Sequence, residues 1–355
     1  VGRWLVILFA ACGGGSSPPA IDAPPGGIDA PTGVDAPAGG AEIHFIGRFD
    51  GQNRFAWPGS RIATRFDGTT ISIDLEDSGQ NWFDVSIDGV VQTPPLRPTA
   101  GRAEYVLAQG LAAGEHDLVV ARRTESFWGI TRFHGFPGAT LVRTTRTDRL
   151  IEFIGDSITC GYGVLGVGPA CEFDADTEAE THAWGTLAAA ALGADHVAIA
   201  YSGVGMVRNF GGDTTNTMPV RYTRTFADDD ASTWTYAYIP DVIVIGLGTN
   251  DFSIGDPGTP FVDTYVTFVS QLRNSYVTPQ IILATSPMLG GADHAAHRGH
   301  LDQVVATLAD PMVTVVEIAE QDAINGYGCD YHPSEVTQQI MADALVPAIR
   351  AVTGW

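Results

Sequence analysis

Between Glu42 and Arg143 apolar and polar residues alternate in short bursts. "EIHFIGRF", "SRIATRF", "TTISIDLED", "WFDVSIDG", "AEYVLAQGL", "EHDLVVARR" and "TRFHGF" carry the period of two that turns every second side chain to a buried face. Gly, Asp and Pro turn signals separate them, and no stretch there reads as a helix. Many short strands at such spacing predict a β-sandwich of jelly-roll type. After Leu150 the pattern changes. "LIEFIG", "HVAIAYSG", "DVIVIGLG", "QIILATSP" and "VTVVEIA" are near-continuous apolar runs, as expected of a parallel sheet covered on both faces. Between and after them lie helical patterns: "HAWGTLAAAALGA", "TPFVDTYVTFVSQLRNSY", "RGHLDQVVATLAD" and "SEVTQQIMADALVPAIRAV". That alternation predicts a three-layer α/β/α domain. The organisation is then 41–148 for the sandwich and 149–355 for the α/β domain.

In such sheets the functional groups sit beyond the carboxyl ends of the strands. Four ends carry suggestive residues: Gly155-Asp156-Ser157, Ser202-Gly203-Val204-Gly205, Gly248-Thr249-Asn250-Asp251, and Gly328-Cys329-Asp330-Tyr331-His332-Pro333 before the last helix. Acyl transfer needs a nucleophilic oxygen, a base, an orienter for the base, and donors for the oxyanion. Ser157 supplies the first and His332 the second. The N–H groups of Ser157 and Gly205, with the Asn250 side-chain amide, are the candidate oxyanion donors. Each tripeptide alone is an ordinary turn. Their joint occurrence at successive strand ends of one sheet is what points to chemistry.

Charge narrows the substrate. The chain of 355 residues has a formal net charge of −22, so long-range repulsion disfavours nucleic acid and anionic membrane surfaces. A neutral substrate fits better. All 19 basic residues are arginines, which removes Schiff-base, Ser-Lys and P-loop chemistry. "DHAAHRGH" gathers His294, His297 and His300, but if helical the outer two lie about 240° apart around the axis, so a metal site is disfavoured against a solvated loop and helix start. "ADDD" at 227–230 lacks the alternate-position oxygens of a calcium loop and reads as an exposed acidic loop. No metal or cofactor is expected.

The first residues, "VGRWLVILFAAC", combine one arginine, a short apolar run and small residues before a cysteine. The run is too short to span a bilayer and suits an export signal. It is similar to a lipoprotein signal over 1–12 in which Cys12 carries the lipid; a cleaved ordinary signal or a truncated start is the alternative. Residues 13–40 repeat Ile/Val-Asp-Ala-Pro three times and predict a disordered, semi-extended tether. Export makes Cys160, Cys171 and Cys329 candidates for one disulfide and one thiol, with Cys171–Cys329 favoured because both lie in loops able to overhang the site.

"FIGDSIT", "AYSGVG", "GLGTND" and "DYHPS" resemble the four sequence blocks of the SGNH (GDSL-like) hydrolases. With "GRFD", "FAWPGSRI" and "ESFWGITRFHGF" in the β-domain, the chain from about residue 42 onward resembles carbohydrate esterase family 2. The resemblance implies a jelly roll joined to an SGNH domain and removal of acetyl groups from plant polysaccharides. It implies Ser157 as nucleophile, Gly205 and Asn250 in the oxyanion hole, and His332 as base. One departure stands out: the acid usually found three residues before the histidine is here Cys329, while Asp330 is two before. The favoured arrangement is therefore a Ser-His dyad with the Cys329 main-chain carbonyl orienting His332, and a triad through Asp330 is the alternative.

Trp128 in "ESFWGITRF", and Arg208 and Asn209 just past the glycines, are candidate substrate contacts; for Trp128 the competing reading is an aromatic sealing the domain interface. The leading expectation is a monomeric, exported esterase, held to the membrane only by its lipid, acting on acetylated polysaccharide or oligosaccharide. The competing expectations are a carbohydrate-binding surface protein with a vestigial hydrolase domain, and an SGNH esterase for lipids or small esters.

Overall fold

The computed structural model describes residues 42–355; the leader, Cys12 and the tether at 13–40 lie outside the described residues. Ten short strands come first: β1 (Ile43–Ile46), β2 (Arg54–Phe55), β3 (Arg61–Asp67), β4 (Thr70–Asp77) and β5 (Phe83–Ile87), followed by β6 (Val90–Val91), β7 (Gly101–Gln109), β8 (Glu115–Arg122), β9 (Thr131–Gly135) and β10 (Thr140–Val142). They form two antiparallel sheets, ordered β1-β3-β8-β5-β6 with β10 also on β3, and β2-β9-β4-β7. The alternation seen in the sequence is physical: Ile62 and Phe66 of β3, and Ile71, Ile73 and Leu75 of β4, point inward and are buried together with Phe83, Leu118 and Phe133.

The α/β domain runs β11 (Leu150–Gly155), α1 (Ser157–Cys160), α2 (Trp184–Leu192), β12 (Asp195–Ala200), α3 (Met218–Arg221), β13 (Val242–Gly246), α4 (Thr259–Ser275), β14 (Gln280–Ala284), α5 (Ala292–Leu308), β15 (Val313–Val316) and α6 (Glu335–Thr353). The sheet is parallel throughout, in the order β12-β11-β13-β14-β15. Helices α2 and α6 pack on one face and α4 and α5 on the other. The strand order reverses at β11, so the crevice beyond its carboxyl end is where an open α/β sheet presents its ligand site.

Helix α5 begins six residues before the apolar pattern suggests. His294 and His297 sit buried on it rather than in a solvated loop, hydrogen-bonded to the carbonyls of Ile318 (2.9 Å) and Leu247 (3.0 Å). Polar rings on the inner face disguise that face as a surface.

Arg48 of the β-domain is fully buried against the α/β domain. Its guanidinium donates to the carbonyls of Tyr222 and Arg224, pairs with Glu152 at 3.4 Å, and lies over the rings of Trp57, Tyr222 and Trp234. Glu152 also accepts from the Tyr222 and Tyr238 hydroxyls at 2.9 and 2.8 Å. A buried ion pair satisfied on this many sides fixes the two domains to one another.

Candidate active site

Strand β11 ends at Gly155, and Asp156 caps the following turn by accepting the Ile158 N–H on Oδ1 at 3.0 Å. Ser157 is thus the first residue of a one-turn helix at a rigid strand end. His332 arrives from the segment between β15 and α6, through a tight turn in which Asp330 and Tyr331 take φ of 52° and 62°. A Cys171–Cys329 disulfide ties this turn to the loop after α1, and Cys160 remains a buried thiol. The result brings His332 Nε2 to 2.9 Å from Ser157 Oγ.

Burial lowers the His332 pKa from its ordinary 6.5 to about 4. The main-chain carbonyls of Cys329 and then Asp330, and lastly the Asp330 charge, act in the opposite direction. Nδ1 is buried without a well-aligned hydrogen bond, and both carbonyls lie close enough to favour a proton there. Catalytic hydrogen bonds are often loose in unliganded sites and tighten around substrate. The Asp330 carboxylate is engaged elsewhere: it accepts from the Tyr162 hydroxyl at 2.8 Å. The Tyr162 ring in turn stacks between His332 (4.0 Å) and Phe173 (3.6 Å).

The oxyanion donors differ from expectation at one position. Gly205 N–H donates to Asn209 Oδ1 at 3.1 Å, and a Cβ at residue 205 would sit 1.9 Å from the Arg208 carbonyl oxygen. Gly205 is therefore a packing glycine with its N–H engaged. Gly203 instead lines the cleft with Ser157, has φ of +79°, and leaves open space where a Cβ would be. Among the described residues no protein group accepts from the Gly203 or Ser157 N–H. Asn250 lines the same cleft; its Nδ2 donates to the Val204 carbonyl at 2.7 Å and only weakly, at 3.3 Å, to Asp156. An oxyanion beside Ser157 would compete with that weak bond alone.

The three candidate substrate contacts have other partners. Arg208 donates to the carbonyls of Asp251 and Gly255, and Asn209 Nδ2 to Asp213 and the Thr215 carbonyl, so both brace the loop after β12. Asp251 adds to this brace by accepting the N–H groups of Met206, Val207 and Arg208. Trp128 donates its indole N–H to Glu178 at 2.8 Å and packs on Phe127 and Phe173; it seals the junction of the domains.

What lines the cleft, of about 640 Å³, is mostly apolar: Tyr162, Phe210, Phe252, Met288 and Leu289 surround the serine–histidine pair. Phe210 is 71% exposed, and Tyr331, next to the histidine, is 61% exposed. Neither stood out in the sequence, although an aromatic directly beside a catalytic histidine is a signal that could have found Tyr331. A serine, a neutral histidine on its hydroxyl and uncommitted donors beside it can form and hydrolyse an acyl-enzyme.

Known proteins resemble this chain over both of its domains. Residues 45–143 match the family described as Carbohydrate esterase 2 N-terminal, and residues 153–340 match the GDSL-like Lipase/Acylhydrolase family. The chain is 36% identical over 325 residues to the Cellulase/esterase CelE of Acetivibrio thermocellus; the match takes in 88% of this chain and 40% of that protein's length. It is 32% identical over 317 residues to an acetylxylan esterase / glucomannan deacetylase of Cellvibrio japonicus, taking in 84% of this chain and 86% of the other. A solved structure of a family two carbohydrate esterase from Clostridium thermocellum, in complex with cellohexaose, superposes with a TM-score of 0.84 at 36% identity over 88% of this chain and 99% of that one.

Proposed function

The chain belongs to carbohydrate esterase family 2, and from that premise we propose that it removes O-acetyl groups from plant polysaccharides of the hemicellulose type, such as xylan or mannan. The observation that carries the reading is the 2.9 Å contact of Ser157 Oγ with His332 Nε2 beside free N–H groups. His332, neutral at working pH, takes the Ser157 proton as Oγ attacks the acetyl carbonyl. The negative charge that develops on the carbonyl oxygen is met by the N–H groups of Ser157 and Gly203 and by Asn250 Nδ2. Donors of this kind each lower such a barrier by about 3–4 kcal/mol. The imidazolium then protonates the departing sugar oxygen, and water repeats the sequence to release acetate. The carbonyl oxygens of Cys329 and Asp330 stabilise the imidazolium while it exists.

A glycan backbone supplies flat sugar faces, and exposed Phe210 and Tyr331 offer rings on which they can stack. The structure of the Clostridium thermocellum enzyme is a complex with cellohexaose, which supports a polysaccharide as the substrate class. Acetate release from acetylated xylan, acetylated glucomannan and an aryl acetate, compared with Ser157→Ala, tests the proposal. Equal release by both proteins would overturn it. Export, with Cys12 as the lipid-bearing residue, belongs to the same proposal and rests on the leader sequence. Radiolabelled palmitate incorporation into the full chain, lost in Cys12→Ala, is the expected result.

A further inference from the structure

The segment "ESFWGITRF" opens with Glu125, which the chemistry so far leaves unused. Glu125 follows β8 in the β-domain, is fully buried, and reaches across the domain junction to Ser202, with Glu178 and Cys160 also beside its carboxylate. Its Oε2 accepts the Ser202 N–H at 2.6 Å, and its Oε1 accepts the Ser202 hydroxyl. Ser202 is the residue before Gly203.

Gly203 needs such help. With φ of +79° and empty space around its would-be Cβ, its own packing does not hold it. Its peptide is steadied on one side by the Phe210 N–H donating to the Gly203 carbonyl at 2.8 Å. On the other side stands Ser202, whose main chain and side chain are both gripped by Glu125. We infer that Glu125 is a positioning residue for the oxyanion loop: the β-domain aims the Gly203 N–H through a two-point carboxylate grip on Ser202. The inference rests on the esterase reading above and assigns the sandwich a part in the chemistry.

The surroundings suit a grip rather than a metal ion. Glu178 and Cys160 are also fully buried, and their ligating atoms and those of Glu125 lie within 4.8 Å of one another. Two carboxylates at this distance in a dry site do not both ionise. Burial, and then the Glu125 charge, push the Glu178 pKa well up, so Glu178 keeps the proton. Glu178 Oε2 is itself occupied, by the Trp128 indole N–H at 2.8 Å and the Glu125 N–H at 3.3 Å. The Arg122 guanidinium is buried on the carbonyls of Thr124, Glu125 and Gly129, and its charge faces Asp77 first and then Glu178 and Glu125.

Glu125→Gln retains volume but keeps only one acceptor oxygen, so whichever way its amide turns it cannot accept from both the Ser202 N–H and the Ser202 hydroxyl as the carboxylate does. The expected result is a kcat about 10- to 100-fold lower with KM within about twofold, in a protein whose circular dichroism matches the parent. The rate at which a fluorophosphonate labels Ser157 should fall in the same proportion, because its tetrahedral adduct uses the same donors. Glu178→Gln, which still supplies a donor toward Glu125, should keep kcat within about threefold. A folded Glu125→Gln with kcat and labelling rate both within about twofold of the parent would overturn the inference. If Glu125→Gln does not fold, Ser202→Ala removes half the grip from the other side; a kcat about 3- to 10-fold lower supports the inference and an unchanged one overturns it. If the parent releases no acetate, the esterase reading fails, and the labelling ratio still decides the grip.

Discussion

The Asp330 carboxylate accepts its hydrogen bond from Tyr162, at 2.8 Å, and leaves His332 to main-chain carbonyls. A carboxylate two residues before the histidine, in a turn where Asp330 itself takes φ of 52°, points along the cleft wall instead of under the imidazole. Its charge is the smallest influence on the histidine. Asp330→Asn should therefore lower kcat less than about tenfold, against about 10⁴-fold when a triad aspartate is neutralised. Asparagine tolerates the left-handed backbone and still accepts from Tyr162, so the turn should survive. A loss beyond about a thousandfold in a folded variant would mean that Asp330 swings under Nδ1 during the reaction.

Two neighbouring glycines should fail in different ways. Alanine at Gly203 meets no neighbour, and the left-handed backbone costs about 1–2 kcal/mol, so the protein should fold with a reduced kcat. Alanine at Gly205 would drive its Cβ into the Arg208 carbonyl and Asp251, costing about 3 kcal/mol or more. Thermal melts and kinetics on the two variants separate these outcomes. Asn250→Ala should behave like Gly203→Ala, with kcat lower by about 10²–10³. A stable Gly205→Ala with impaired kcat alone would return that residue to the oxyanion hole.

Ser157, Asn250 and His332 were legible in the sequence because topology does the placing. A parallel sheet brings the carboxyl ends of its strands to one edge, so strand-end motifs far apart in sequence converge. The same logic does not reach side chains that act at one remove. Which of two glycines keeps a free N–H depends on where the Asn209 amide lands, and periodicity carries no information on that. Glu125 grips a residue 77 positions away across a domain junction, a pairing that no local pattern in its segment expresses. Trp128, Arg208 and Asn209 lie close to the site but face its supports, a distinction that spacing does not express.

The Cys171–Cys329 disulfide closes a loop of 158 positions and includes the residue three before His332. A disulfide typically stabilises a folded domain by about 2–4 kcal/mol. Cys171→Ser should lower the melting temperature and also kcat, because the histidine turn loses its covalent tie. Gly166 packs directly on both sulfurs, so the bond also organises the loop after α1. Non-reducing peptide mapping should recover the 171–329 pair with Cys160 as the thiol; a free Cys171 would refute it.

The acid limb of the rate profile reads the histidine directly. Attack requires neutral His332, and burial places its pKa at about 4 rather than 6.5. With an uncharged aryl acetate, kcat/KM should rise through about pH 4 and be flat from about pH 5 to neutrality. Stability must be followed alongside, because His297 is likewise lowered to about 4 by burial. The unfolded chain then binds more protons than the native one between those values. The stabilisation from neutral His297, about 3 kcal/mol, is complete above pH 6.5 and is lost as pH falls through 6.5 towards 4. Assays after brief exposure to acid and return to neutral pH separate this unfolding from titration of the base. Asp330→Asn removes a charge that raises the His332 pKa, so the limb should move further down in that variant. A limb at or above pH 6.5 in the parent, with the fold intact, would show that the imidazole is solvated and that burial does not set its basicity.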